Sequence, residues 1–116
     1  MKRMLYGKLD GKNVVPCDSD EWARNFERDR RVARTDVAEG IHVSTVFLGL
    51  NHWWTGSGDF WFESMTFGGP TDQDMDRYPT WDEAEAGHAR MVHKAEQAHA
   101  KLQHAIESLT TPDPKD

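Results

Sequence analysis

The strongest pattern in the chain lies in its last third. From residue 80 to residue 110, small or apolar residues recur at Ala84, His88, Met91, Ala95, Ala98, Leu102, Ala105 and Leu109. The spacing alternates four and three, which is the a/d pattern of a coiled-coil seam. Thr80 followed by Glu83 has the form of a capping box. Gly87 is the only interior glycine of this stretch, and no proline follows until Pro112. The pattern predicts one long helix over 80–110 and a frayed tail over 111–116.

Upstream, the residues read as strands and turns. Residues 41–50 are rich in β-branched and aromatic side chains on both faces, as in a strand that is central or covered on both sides. Residues 59–67 read as its hairpin partner, ended by Gly68-Gly69-Pro70. Residues 51–58 form the connecting loop. Near the N-terminus, Asp10-Gly11 separates two short extended runs, 5–9 and 12–16, and predicts a hairpin on a type I′ turn. Asp18 with Glu21 caps a short helix over 19–29, whose apolar side is Trp22, Ala23 and Phe26. Val32, Thr35 and Val37 suggest a further short strand, and the acidic stretch 71–79 reads as a loop.

Together these elements describe an α+β fold in a single domain over 1–116. It has a small antiparallel sheet, made of an N-terminal hairpin and a central hairpin over 41–67. One short helix (19–29) and one long C-terminal helix (80–110) complete it.

The long helix is too long for this body. About 30 residues at 1.5 Å each span roughly 45 Å, whereas a domain of this size is about 30 Å across. The expectation is that 80–92 packs on the sheet, with Trp81 and His88 touching it. Residues 93–110 then form an extension that pairs with a second copy, a dimer being favoured. Met91, Ala95, Ala98, Leu102, Ala105 and Leu109 would form that oligomerisation seam. The competing reading is a solvated amphipathic helix held by high Ala, Glu and Lys propensity.

Composition narrows the class. Five Trp and five Phe in 116 residues argue for a packed core rather than disorder. A single cysteine, Cys17, cannot form an internal disulfide and suits a reducing compartment. Met1-Lys2-Arg3-Met4 opens the chain without a following apolar stretch, so neither a signal peptide nor a membrane span is expected. The net charge of −6 argues against a duplex nucleic-acid partner, because neutralising phosphates takes an excess of Lys and Arg.

Candidate chemistry is sparse. Arg28, Arg30, Arg31 and Arg34 crowd one stretch, and guanidinium groups grip phosphate and carboxylate bidentately. Arg31 and Arg34, with His52, Trp53, Trp54 and Glu63, are the candidate lining of a pocket for a nucleotide-like anion; balancing the acidic helix is the alternative role of the arginines. Glu63 interrupts an apolar strand and calls for an arginine partner such as Arg31, Arg34 or Arg77. A hydrolase would draw on His52 or His88 with Glu63 or Glu85, and Cys17 beside His42 or His52 would make a nucleophilic pair. His88, His93, His99 and His104 are five or six residues apart, the wrong spacing for a metal site on one helix. Asp72, Asp74 and Asp76 alternate as in a calcium loop, but Arg77 stands where that loop needs glycine. No nucleotide, dinucleotide, zinc or nucleophile-elbow fingerprint is present, so no cofactor or metal is expected and no catalytic residue is assigned.

Three blocks carry a resemblance: VSTVFLGLNH over 43–52, FESMTFGG over 62–69 and RYPTWDEAEAGH over 77–88. They resemble a group of small uncharacterised proteins encoded by bacteriophages and prophages, over residues 6–92. The resemblance implies a phage context and location in the cytoplasm of the bacterial host, and it transfers no catalytic residue. With the acidic charge and the seam helix, it leads to the expectation of a non-enzymatic accessory protein. Such a protein would bind, and inhibit or modulate, a host component such as a defence system. A small-ligand binder is the alternative, and a small His/Glu hydrolase the second alternative.

Overall fold

The computed structural model describes residues 4–26, 28, 30–51 and 59–110. Eight elements follow in order: β1 (Gly7–Asp10), β2 (Asn13–Pro16), α1 (Ser19–Asn25), β3 (Arg31–Ala38), β4 (Ile41–Phe47), β5 (Phe62–Phe67), β6 (Met75–Tyr78) and α2 (Trp81–Thr110). The fold is α+β, with two antiparallel sheets and two helices.

Strands β3 to β6 form a four-stranded meander in the order β3-β4-β5-β6. The central hairpin is present as expected, and β3 and β6 extend it on either side. Strand β6 corrects the reading of 71–79 as a loop. Its polar sequence hides a strand because only Tyr78 is buried there; Met75, Asp76 and Arg77 are not. The N-terminal hairpin is a separate two-stranded sheet. An isolated bridge from Tyr6 to Leu50 and a bond from the Gly7 amide to the Gly49 carbonyl (2.8 Å) tie it to the end of β4.

The N-terminal turn sits one residue later than expected. Asp10 pairs with Asn13, so the loop is Gly11-Lys12. Only its first residue, Gly11, has positive φ, at 61°. That is the demand of a type II′ turn rather than type I′. Helix α1 is shorter than the expected 19–29. Asp18 caps it by accepting from the Glu21 amide (2.8 Å), and Phe26 is its C-cap.

Helix α2 starts as the sequence indicates, with Thr80 Oγ1 accepting from the Glu83 amide. It crosses one face of the meander and contacts all four strands. Alternation along the strands decides what it covers. Ile41, Val43, Thr45 and Phe47 of β4, and Phe62, Ser64 and Thr66 of β5, face the helix and are buried. From α2 come Ala84, Gly87, His88, Met91 and Ala95. Phe47, Trp61, Phe62, Tyr78 and Ala84 form the larger core cluster, and Val43, Met91 and Ala95 a second.

Two glycines are required by close approach. A Cβ at Gly87 would lie 2.1 Å from the Tyr78 ring, so glycine lets that ring reach the helix backbone. A Cβ at Gly68 would lie 1.9 Å from the Gly40 carbonyl oxygen, and its φ is +84°.

Beyond residue 99 every described side chain of α2 is exposed. The molecule accordingly measures 72 × 28 × 19 Å.

Candidate functional site

Burying one face of the meander leaves the other uncovered. No residue on that face is buried, whereas every described neighbour facing α2 on β4 and β5 is. Cross-strand register arranges it in three rows. One row reads Arg31, Val46, Glu63 and Arg77. The next reads Arg34, Ser44, Met65 and Met75, and the third Asp36, His42 and Phe67.

The middle of this face is ordered by charge. Arg77 Nε donates to Glu63 Oε2 at 3.1 Å, and the two side chains are only 24% and 19% exposed. Arg77 is thus the partner that Glu63 calls for. Arg34 pairs with Asp36 at 3.2 Å in a more exposed position. The His42 ring stacks on Phe67, centroids 4.8 Å apart. Phe67 is 41% exposed and Met75 45%. The result is an apolar field of Val46, Met65, Phe67 and Met75, crossed by a fixed ion pair and edged by arginines.

Three of the expected pocket residues therefore share a surface. Arg31 and Arg34 lie on β3 and Glu63 on β5, all on the open face. None of the three lines the cleft beside β1 and α1 or the one between β6 and α2. His52, Trp53 and Trp54 lie outside the described residues. Asn51, which precedes them in the chain, is fully buried. Its amide donates to the Met4 carbonyl and to Asp59, and its Oδ1 accepts from the Phe60 amide.

The His/Glu pairings are not assembled. His88 faces the helix side of the sheet and Glu63 the open side. Glu85 is exposed and accepts from Trp81 Nε1. His88 instead anchors a buried polar chain. Its Nε2 meets Thr35 Oγ1 at 2.9 Å and its Nδ1 meets Thr45 Oγ1 at 2.7 Å. Thr45 reaches Ser64 Oγ at 2.5 Å, and Ser64 reaches Tyr78. Hydroxyls both donate and accept, so either tautomer of the neutral ring is satisfied. Burial holds His88 below the ordinary imidazole pKa and Tyr78 above the ordinary phenol pKa. Both shifts favour the neutral forms at neutral pH, and this network is structural, set between helix and sheet. Thr66 Oγ1, nearby on the same face, finds no hydrogen-bond partner among the described residues.

Cys17 is a free thiol whose pKa is raised, first by burial and then by Glu21 and Asp18. A raised pKa disfavours the thiolate that a nucleophile requires. Among the described residues, no group of three or more His, Cys, Asp or Glu side chains is placed to hold a metal ion. No helix there is long and apolar enough to cross a membrane.

The seam of α2 divides. Met91 and Ala95 are buried against Val43 and serve the chain's own core. That corrects their assignment to a surface offered to another copy. Ala98 is half-buried, while Leu102, Ala105 and Leu109 stay exposed. Ile106, absent from the expected seam, joins them at 42% exposure, beside Leu102 at 44% and Leu109 at 86%. Their i, i+4, i+7 spacing was the available signal.

Comparison with known protein families, curated proteins and solved structures finds no match to this chain.

Proposed function

We propose that this chain is a non-enzymatic binding protein that engages a protein partner through the open face of its meander. The observation that carries the reading is the make-up of that face. Exposed Phe67 and Met75 and half-buried Met65 and Val46 stand in one field beside Arg31, Arg34 and the Arg77–Glu63 pair. Aromatic residues, Met and Arg are the types enriched where proteins meet, and charged groups held in place beforehand lose little freedom on binding. The exposed end of α2, with Leu102, Ile106 and Leu109, joins two copies in this reading and doubles the face. The resemblance to phage-encoded proteins makes a host protein in the bacterial cytoplasm the partner, and its inhibition or modulation the outcome. The acidic balance disfavours duplex nucleic acid, and the reading needs no cofactor.

The test compares the wild-type chain with a Phe67→Ser, Met75→Lys double variant. Both positions are exposed, so the change leaves the core intact. Wild type is expected to retain one partner from host lysate and to form a stoichiometric complex with it on gel filtration. The double variant should lose at least tenfold in affinity. Equal capture by both proteins, or capture of nothing by wild type, overturns the reading.

A further inference from the structure

A concavity lies beside the N-terminal hairpin, and none of its lining residues belongs to the rows of the open sheet face. It is a cleft of about 540 Å³ between β1, α1 and the end of β4. That volume is in the range of small-ligand sites. Helix α1 forms one wall, and the cleft changes character along it. At one end are Lys8 and Glu21, joined by a 2.6 Å ion pair, with Asp10 beside them. Trp22 and Phe26 follow, their ring centroids 5.3 Å apart. At the far end stand Arg28 and Arg30.

Arg30 is held in place by uncharged groups. Its Nη1 donates to the Phe47 and Leu48 carbonyls, both at 3.4 Å, and its guanidinium carbon lies 4.2 Å from the centroid of the Phe26 ring. Trp22 is fixed by the same strand end, its Nε1 donating to the Leu48 carbonyl at 3.3 Å. Among the described residues, no carboxylate forms an ion pair with Arg28 or Arg30. Two guanidinium groups, one pre-positioned, thus close one end of an aromatic-walled cleft whose other end carries carboxylates. From Glu21 to Asn25, where α1 ends, the chain advances four residues, about 6 Å at the helical rise.

We infer that this cleft binds a small planar anion of mononucleotide size: an aromatic ring lying against Trp22 and Phe26, with a phosphate or carboxylate on Arg28 and Arg30. Ring substituents that donate hydrogen bonds would meet Asp10 and Glu21 at the opposite end. The chemistry is shared by nucleoside monophosphates and by aromatic carboxylates, and neither Arg31 nor Arg34 takes part. This site is independent of the open sheet face.

Calorimetric titration of the full chain tests it, with the four common nucleoside monophosphates, benzoate, the parent nucleosides and inorganic phosphate as separate probes. Arg28 is exposed, so Arg28→Gln reports on ligand binding without disturbing the fold; Arg30→Gln is the second variant, with its folding checked by circular dichroism. Saturable binding of a monophosphate, weakened at least tenfold by Arg28→Gln and at least tenfold by removing the phosphate, supports a nucleotide. The same pattern with benzoate alone supports an aromatic carboxylate. Inorganic phosphate binding as tightly as any ringed probe overturns the inference. So does the absence of saturable heat with every probe at millimolar concentration, or unchanged affinity in Arg28→Gln. Arg28→Gln leaves Phe67 and Met75 untouched, so failure here is distinguishable from failure of partner capture.

Discussion

His88 is buried between helix and sheet with both ring nitrogens engaged by threonine hydroxyls. Burial lowers its pKa below the ordinary value of 6.5. The sign of the consequence follows from proton linkage. Above about pH 6.5 the ring is neutral in both the folded and the unfolded chain, and it contributes no pH slope. Below that value the unfolded chain binds a proton that the folded chain refuses. Stability is therefore lost as pH falls from about 6.5 through the lowered folded pKa. Denaturant midpoints at pH 7.5 and 5.5 should show the loss in wild type, in a range where free carboxylates stay ionised. His88→Gln should start from a lower stability at pH 7.5 and show a flatter profile. An equal slope in both would mean that another group is responsible.

Among the elements, α2 carries the sharpest conflict between local preference and packing. Glycine inside a helix costs about 1 kcal/mol relative to alanine, yet Gly87 sits in the middle of the packed half. The Tyr78 ring occupies the space where a Cβ would be, 2.1 Å away. Tyr78 belongs to the buried core cluster and to the polar chain through Ser64, so it cannot swing out at little cost. Gly87→Ala should lower stability by about 1–3 kcal/mol, the usual cost of overpacking, despite its better helix propensity. Thermal or denaturant unfolding measures this directly. A stabilised variant would mean that strand β6 yields at the edge of the sheet. The same helix shows why a heptad seam alone does not mark an interface. Val43 and its neighbours take Met91 and Ala95, and only the residues beyond the edge of the sheet are left over.

At the scale of the molecule, that remainder is about three turns of helix projecting into solvent, with Leu102, Ile106 and Leu109 on one side. Apolar side chains at i, i+4 and i+7 repay burial only if a second surface covers them. If the arm joins two copies, light scattering should give twice the 13.3 kDa of one chain. Leu102→Glu with Ile106→Glu should return the mass to 13.3 kDa without loss of helix signal, because both positions are exposed. A wild-type monomer at high micromolar concentration would remove the arm from the proposed function while leaving the open face intact.

The signals readable along the chain are periodic or chemically local. The β-branched and aromatic runs at 41–50 and 59–67, the capping signals at Asp18 and Thr80, and the four-three spacing of α2 each act within a few residues and need no long-range contact to be recognised. Strand β6 is not readable in this way, because its pairing with β5 supplies what Met75-Asp76-Arg77-Tyr78 lacks in apolar pattern. The shorter α1 and the displaced hairpin turn were likewise settled by which backbone groups found partners. The candidate site was half legible. Residue types singled out Arg31, Arg34 and Glu63, but only register and burial put them on one open face with Arg77, Met65 and Met75. The cleft residues Arg28, Arg30, Trp22 and Phe26 were visible as types and not as a site. Their convergence depends on where the hairpin docks against the end of β4, a long-range contact that no local pattern encodes. Tertiary structure also decided the fate of His88, since a helical spacing cannot say whether a ring will meet solvent or two threonine hydroxyls.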